Sequence, residues 1–197
     1  MSTRAINIPA VRRSALGSIA LIVLFANFIA LSARISLPLP FSPVPVTGET
    51  LAVLLAGLAL GPRRGVTSVL VFIAEGAAGL PVFAGGTGGL VVLLGPTGGY
   101  LWGFVLGAGI AGLLTGGGRG QRGTTLLLAL ALGNLAIYCV GALWLSVLVP
   151  GGLQTAFLVG VLPFLPGDAI KCVIAAGVLP SAARFADRLS ARLDDAL

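Results

Sequence analysis

The sequence lacks histidine and carries few charges. Among its 197 residues there is no His, and charged residues make up 9% of the chain. Soluble domains usually carry about 25% charged residues. Hydrophobic residues reach 57% and the mean hydropathy is +1.07. Because so few ions cannot cover a globular surface in water, we predict that most of the outer surface faces lipid.

These shortages also exclude several kinds of chemistry. Without histidine, histidine-based metal binding and proton shuttling are impossible, and Cys139 and Cys172 lie far apart in apolar segments. We therefore expect no disulfide, metal or cofactor. The sparse polar groups offer no convincing nucleophile and base, so we predict a protein that is not an enzyme. Aromatic residues do not interleave with the basic clusters, which argues against a nucleic-acid partner despite the net charge of +6.

Apolar segments separated by glycine, proline and arginine predict an all-α integral membrane protein with six transmembrane helices in one domain, 1–197. The first segment is long for a signal peptide and lacks a convincing cleavage site, so we interpret it as a retained helix. The predicted helices cover residues 14–33, 50–61, 65–79, 100–115, 124–149 and 160–180, followed by a tail at 181–197.

The arginines predict the orientation of these helices. With six spans, all of them except Arg34 fall on the side that holds both termini. The positive-inside rule makes that side cytoplasmic. We therefore predict a multi-pass protein of the cytoplasmic membrane with both termini in the cytoplasm. The residues on that side are Arg4, Arg12, Arg13, Arg63, Arg64, Arg119, Arg122, Arg184, Arg188 and Arg192.

Residues 80–99 are apolar, yet glycine and proline interrupt them too often for one helix. Non-helical backbone at membrane depth is tolerated only where it is buried in protein or lines a cavity. We predict that this segment is an external lid over a pocket, and that Gly85 and Gly86 line the substrate site. A phosphate loop is excluded because no Lys-Ser/Thr follows either glycine cluster.

Asp168 and Lys171 lie inside the last apolar segment. A charge within a membrane span is costly, and it indicates function. Their spacing places both on one helix face, where they bind a substrate or neutralise each other in a structural pair. Glu49, at a loop-to-helix junction, either interacts with the helix N-terminus or accepts hydrogen bonds from substrate.

Three further polar side chains within spans are candidate pocket residues. Tyr100 and Tyr138 line the pocket or anchor the helices at the membrane interface, and Asn134 lines the pocket or bridges helices. In the first helix, Ala26 and Ala30 form a small-xxx-small pattern that permits close helix approach. This pattern is suited either to docking of a partner or to packing within the bundle.

Three stretches resemble the BioY family: PFSPVPVTGETLAVLLAGLALGPRRG, GLPVFAGGTGGLVVLLGPTGGYLWGF and LPGDAIK. BioY proteins are biotin-specific substrate-binding subunits, or S components, of energy-coupling factor (ECF) transporters. Asp168 and Lys171 match the family's Asp-x-x-Lys, which is tied to biotin binding, and Ala26 and Ala30 resemble its partner-docking motif. At position 49 the family usually has glutamine, which leaves the role of Glu49 open.

The resemblance implies a six-helix S component with biotin as its ligand and loops that close the outer face. It also implies a transmembrane T component and two cytoplasmic ATPases as partners, with ATP hydrolysis confined to those partners. Two alternatives share the architecture: an S component for another small vitamin, since a fold does not fix its ligand, and a solitary biotin carrier that works without ATPases.

Overall fold

The computed structural model describes residues 15–116 and 123–175, and these are almost entirely helical. The one sheet among them is a two-residue antiparallel pair, β1 (Ser36–Leu37) with β2 (Val46–Thr47). The helices are α1 (Ala15–Ala33), α2 (Glu49–Ala77), α3 (Leu90–Leu94), α4 (Gly98–Thr115), α5 (Gly123–Leu148), α6 (Gly152–Gly160) and α7 (Leu165–Ala175).

Four of these helices, α1, α2, α4 and α5, are long and apolar enough to cross a membrane. The pair α6 and α7, bent by 49° at a short break, makes a fifth candidate span among the described residues. Large apolar side chains such as Leu31 and Val147 point outward from these helices. In water they would form an extensive exposed apolar surface, so the chain is a multi-pass membrane protein.

Helix α2 contains a sharp reversal. Gly61 has φ 80° and ψ 176°, far from helical values, and Pro62 follows it. A Cβ on Gly65 would lie 2.7 Å from the Cα of Gly57, although residues eight apart in a straight helix are separated by about 12 Å. The two halves of α2 therefore fold back on each other. The gap between the predicted helices 50–61 and 65–79 is reduced to the backbone around Gly61, and the helix resumes at once.

The region of the last predicted helix differs from expectation. In place of one helix over 160–180, α6 ends at Gly160, non-helical turns follow, and α7 begins at Leu165. Pro163 lies in the break, and Pro166 lies in the first turn of α7. Proline is tolerated in a first turn because the N–H that it lacks would have no acceptor within the helix there. Residues 176–180 and the predicted tail 181–197 lie outside the described residues, as do the arginines at both termini.

The predicted lid segment, residues 80–99, contains a 3₁₀ turn (Ala84–Gly86) and α3. The Phe83 ring packs edge-on against Phe72, with 5.4 Å between ring centroids. The N–H of Gly89 donates to the carbonyl oxygen of Gly76 (2.7 Å). The indole N–H of Trp144 donates to the carbonyl oxygen of Gly95 (3.0 Å). These contacts tie the segment to both α2 and α5.

At the centre of the bundle, α4 packs against α2 on one side and α5 on the other. Glycines permit the close approach: a Cβ on Gly57 would overlap the backbone of Ala108, and one on Gly103 would lie 2.9 Å from the Cα of Ile137. Small residues at helix contacts are typical of membrane bundles, where dispersion forces replace the hydrophobic effect. This packing fixes the position of α4 between α2 and α5.

Candidate functional site

A cavity of about 140 Å³ lies where the start of α2, the segment 80–99, α4, α5 and α7 meet. Its wall is mostly aliphatic and aromatic, with a few polar groups placed together on one side, as in most small-molecule sites. The lining residues are Val44, Pro45, Val46, Thr47, Glu49, Thr50, Phe83, Ala84, Thr87, Val92, Thr97, Tyr100, Leu101, Phe104, Ile137, Tyr138, Phe164, Asp168 and Lys171.

Asp168 is the centre of the polar wall and is 5% exposed. Its Oδ1 accepts hydrogen bonds from Lys171 Nζ (2.7 Å) and Thr50 Oγ1 (3.0 Å). Its Oδ2 accepts a hydrogen bond from the hydroxyl of Tyr138. Both carboxylate oxygens are therefore engaged, and α7 is linked through them to α2 and α5.

Lys171 makes the complementary contacts. In addition to Asp168, its ammonium group donates to the Thr47 carbonyl oxygen (2.7 Å) and to Thr50 Oγ1 (3.3 Å). An ammonium has three N–H donors, and these three acceptors match that number. The Asp168–Lys171 pair thus lies in the cavity wall and also neutralises itself, so the two readings of the sequence are not mutually exclusive.

Glu49, the first residue of α2, is 5% exposed. Its Oε2 accepts a hydrogen bond from Thr47 Oγ1 (3.1 Å), whereas Oε1 is buried with no partner among the described residues. A buried polar atom without a partner costs about 1–3 kcal/mol. This carboxyl group belongs to the cavity wall, and the protein leaves its Oε1 without a donor among the described residues.

Tyr100 and Tyr138 both line the cavity and are each only 7% exposed. The hydroxyl of Tyr100 donates to the carbonyl oxygen of Gly160 (2.6 Å) at the end of α6. The hydroxyl of Tyr138 is bound to Asp168. This burial is unlike that of interfacial anchors, and both tyrosines belong to the cavity wall.

Other predicted site residues lie elsewhere. Asn134 is absent from the cavity wall; its amide donates to Cys172 Sγ (3.3 Å), which links α5 to α7 as a helix-bridging residue. Gly85 and Gly86 are not in this wall either, and their assignment to the substrate site stays a prediction. Their positive φ angles, 66° and 75°, form the turn that directs Phe83 and Ala84 to the cavity instead.

The docking prediction for Ala26 and Ala30 in α1 stays a prediction. Ala26 is fully buried in the core, and Ala30 is partly buried against it. In this structure the small-xxx-small pattern therefore packs within the bundle and does not form an exposed docking surface. The outward face of α1 contains larger side chains, including Val23, Phe28 and Leu31.

Sequence reasoning missed several lining residues. Thr47 and Thr50 flank Glu49 and are hydrogen-bonded to the charged groups, and their position beside a junction carboxylate was the available signal. Phe83, Phe104 and Phe164 complete the apolar wall. Nothing in the sequence distinguishes them from lipid-facing phenylalanines.

Comparison with known proteins identifies the family. The BioY family model matches residues 3–188. A probable biotin transporter BioY of Pyrococcus horikoshii is 41% identical, covering 80% of this chain and 90% of the relative. A biotin transporter BioY of Rhizobium etli is 40% identical, covering 79% and 87%. A crystal structure of the S component for biotin from an ECF-type ABC transporter aligns with a TM-score of 0.73 at 30% identity, covering 87% of this chain and 92% of that one. The chain belongs to the BioY family.

Proposed function

We propose that this protein binds biotin in the main cavity and takes it up across the membrane as the S component of an ECF transporter. The observation that carries the proposal is the grouping of Glu49, Asp168 and Lys171 in the wall of an otherwise apolar cavity. Relatives described as biotin transporters and a solved biotin S component support the same ligand. The protein is a transport subunit that needs no cofactor.

The chain then crosses the membrane six times. The crossings are α1, the two halves of α2, α4, α5 and the α6–α7 pair. At about 1.5 Å per residue the halves of α2 reach about 18 and 24 Å, less than the roughly 30 Å of bilayer hydrocarbon. The missing depth is filled by residues 80–99, which serve as the external lid. Both termini lie in the cytoplasm and the cavity opens to the outside.

In the binding step, biotin's bicyclic ring packs among Phe83, Phe104 and Phe164, and its ureido N–H groups meet the acidic wall. Asp168 is an acceptor that Lys171 and Tyr138 orient, and Glu49 Oε1 supplies a free acceptor beside it. Because Lys171 is bound to Asp168, its role is to orient and neutralise that carboxylate. Tyr100 contributes an aromatic face.

Transport requires the partners that ECF transporters use. A transmembrane T component holds the S component, and two cytoplasmic ATPases hydrolyse ATP. Since Ala26 is buried in the core, docking through α1 uses its outward face, or else requires a rotation of α1 that brings Ala26 and Ala30 to the surface.

The test of ligand identity is isothermal titration of the detergent-solubilised protein with biotin, thiamine and riboflavin. We expect saturable binding of biotin alone; binding of a different vitamin with no response to biotin would refute the ligand assignment. Uptake by the lone protein in proteoliposomes, compared with uptake in the presence of the T component and ATPases, distinguishes an S component from a solitary carrier.

A further inference from the structure

A second cavity lies beside the main one and contains a cation that the binding step above does not use. This side cavity, of about 330 Å³, is lined by Arg34, Ser36, Pro38, Ser42, Pro43, Pro45, Ala84 and Gly85. Pro45 and Ala84 also line the main cavity, so the two cavities are adjacent.

The carboxyl and amino groups in the main cavity wall are unsuited to a carboxylate. They are two carboxyl groups, Glu49 and Asp168, and one ammonium, Lys171, among the described residues. Lys171 is already paired with Asp168 and bound to Thr47 and Thr50. A ligand carboxylate placed here would share the wall with two carboxyl groups and would find no cation that is not already paired among the described residues.

Arg34 offers the opposite environment. Its guanidinium lies in the side cavity wall, where Nη2 donates to the carbonyl oxygen of Pro81 (2.7 Å). No carboxylate of residues 15–116 or 123–175 lies within salt-bridge distance of it. A guanidinium has five N–H donors, so most of them are available. A Cβ on Gly86 would lie 2.7 Å from Nη1, which means that this glycine gives the guanidinium its space.

We propose that Arg34 forms a carboxylate subsite in the side cavity, which holds the anionic tail of the ligand while the main cavity holds its N–H-bearing ring. The inference rests on the proposed function and adds the orientation of the ligand. It also explains how a cavity with an excess of acid accepts an anion: the negative tail points away from Glu49 and toward the free guanidinium.

The experiment compares biotin with biotinamide, its neutral carboxamide, by titration of the wild type, Arg34→Gln and Arg63→Gln. Arg63, an exposed arginine beside the reversal of α2, is the matched control for loss of one positive charge. An accessible ion pair contributes up to about 1 kcal/mol, so Arg34→Gln should weaken biotin binding by about fivefold at low salt. Biotinamide binding should be unchanged, and Arg63→Gln should affect neither ligand.

A measurement on the wild type alone provides a second test. Its preference for biotin over biotinamide should decrease as sodium chloride is raised, because salt screens an accessible pair. Equal weakening of both ligands by Arg34→Gln would mean that Arg34 acts only by holding Pro81, and would overturn the subsite. Unchanged biotin binding in that variant would overturn it too. If the wild type binds neither ligand, the proposed function itself fails, and the wild-type titration reveals this before any variant is made.

Discussion

Replacing Asp168 with Asn tests whether the Asp168–Lys171 pair holds the structure together, binds the ligand, or does both. The amide keeps the shape of the side chain but removes its charge. Lys171, whose side chain is 24% exposed, then loses the carboxylate 2.7 Å away and has no other carboxylate within salt-bridge distance among the described residues. Breaking a fully buried pair costs about 3–5 kcal/mol, and partial exposure of the lysine reduces this. We expect the free energy of unfolding to fall by about 2–3 kcal/mol.

The double variant Asp168→Asn with Lys171→Met separates the two roles. Removing both charges leaves no uncompensated ion, so most of the lost stability should return. Biotin affinity should stay low, because the amide is a weaker acceptor than a carboxylate: charge-assisted hydrogen bonds contribute about 1.5–3 kcal/mol and neutral ones about 0.5–1.5. We thus expect the double variant to regain most of its free energy of unfolding while its biotin affinity stays low.

Thermal unfolding in detergent and isothermal titration with biotin measure the two quantities on the same samples. Glu75→Gln is the matched control, since Glu75 is a half-buried acid near the end of α2 that does not line the cavity. If the double variant recovers both stability and wild-type affinity, the pair is purely structural and the proposed role of Asp168 in binding is refuted.

Two other substitutions test the free carboxyl oxygen and the anchor of the lid. Glu49→Gln should lower biotin affinity by about 1 kcal/mol without reducing the melting temperature, because the carboxyl acceptor is lost while an amide oxygen remains. Unchanged affinity in titration would show that Oε1 does not bind the ligand. Gly76→Ala should displace the Phe83 ring, which the added methyl group would overlap, and cost about 1–3 kcal/mol in stability. Gly123→Ala is the control in thermal unfolding, because the added methyl group meets nothing within 4 Å there. Equal melting temperatures of the two variants would show that the Phe83 ring moves freely.

The sequence predicts the membrane class and the polar side of the cavity for one physical reason. Charges are so costly within apolar spans that Asp168 and Lys171 could be selected without knowledge of the fold. The structure places both in the cavity wall together with Glu49, which was selected by its position at a loop-to-helix junction. The same cost does not apply to phenylalanine or threonine. Phe164 and Thr50 therefore carried no comparable signal, although both line the cavity.

The direction in which a helix faces is harder to predict when the helix is apolar all round. α1 is such a helix, so no polar stripe indicates which side meets the bundle. Ala26 and Ala30 were consistent with either direction, and only the packed structure turns Ala26 inward. The break before α7 was missed for a different reason: Pro163 and Pro166 signal an interruption, but its size depends on how α6 packs against α5.

The arrangement of charges explains how one cavity wall can be rigid and still receptive. Asp168 is held by groups from α2, α5 and α7, through Thr50, Tyr138 and Lys171, so its position is fixed before a ligand arrives. Such preorganisation reduces the ordering cost of binding. Glu49 differs, because one of its oxygens has no partner and its burial is costly until a donor arrives. A ligand that brings N–H groups to this wall relieves that cost, whereas one that brings a second carboxylate increases it. On the proposed binding mode, selectivity at this wall follows from which polar groups are already paired, and the anionic end of the ligand lies away from it.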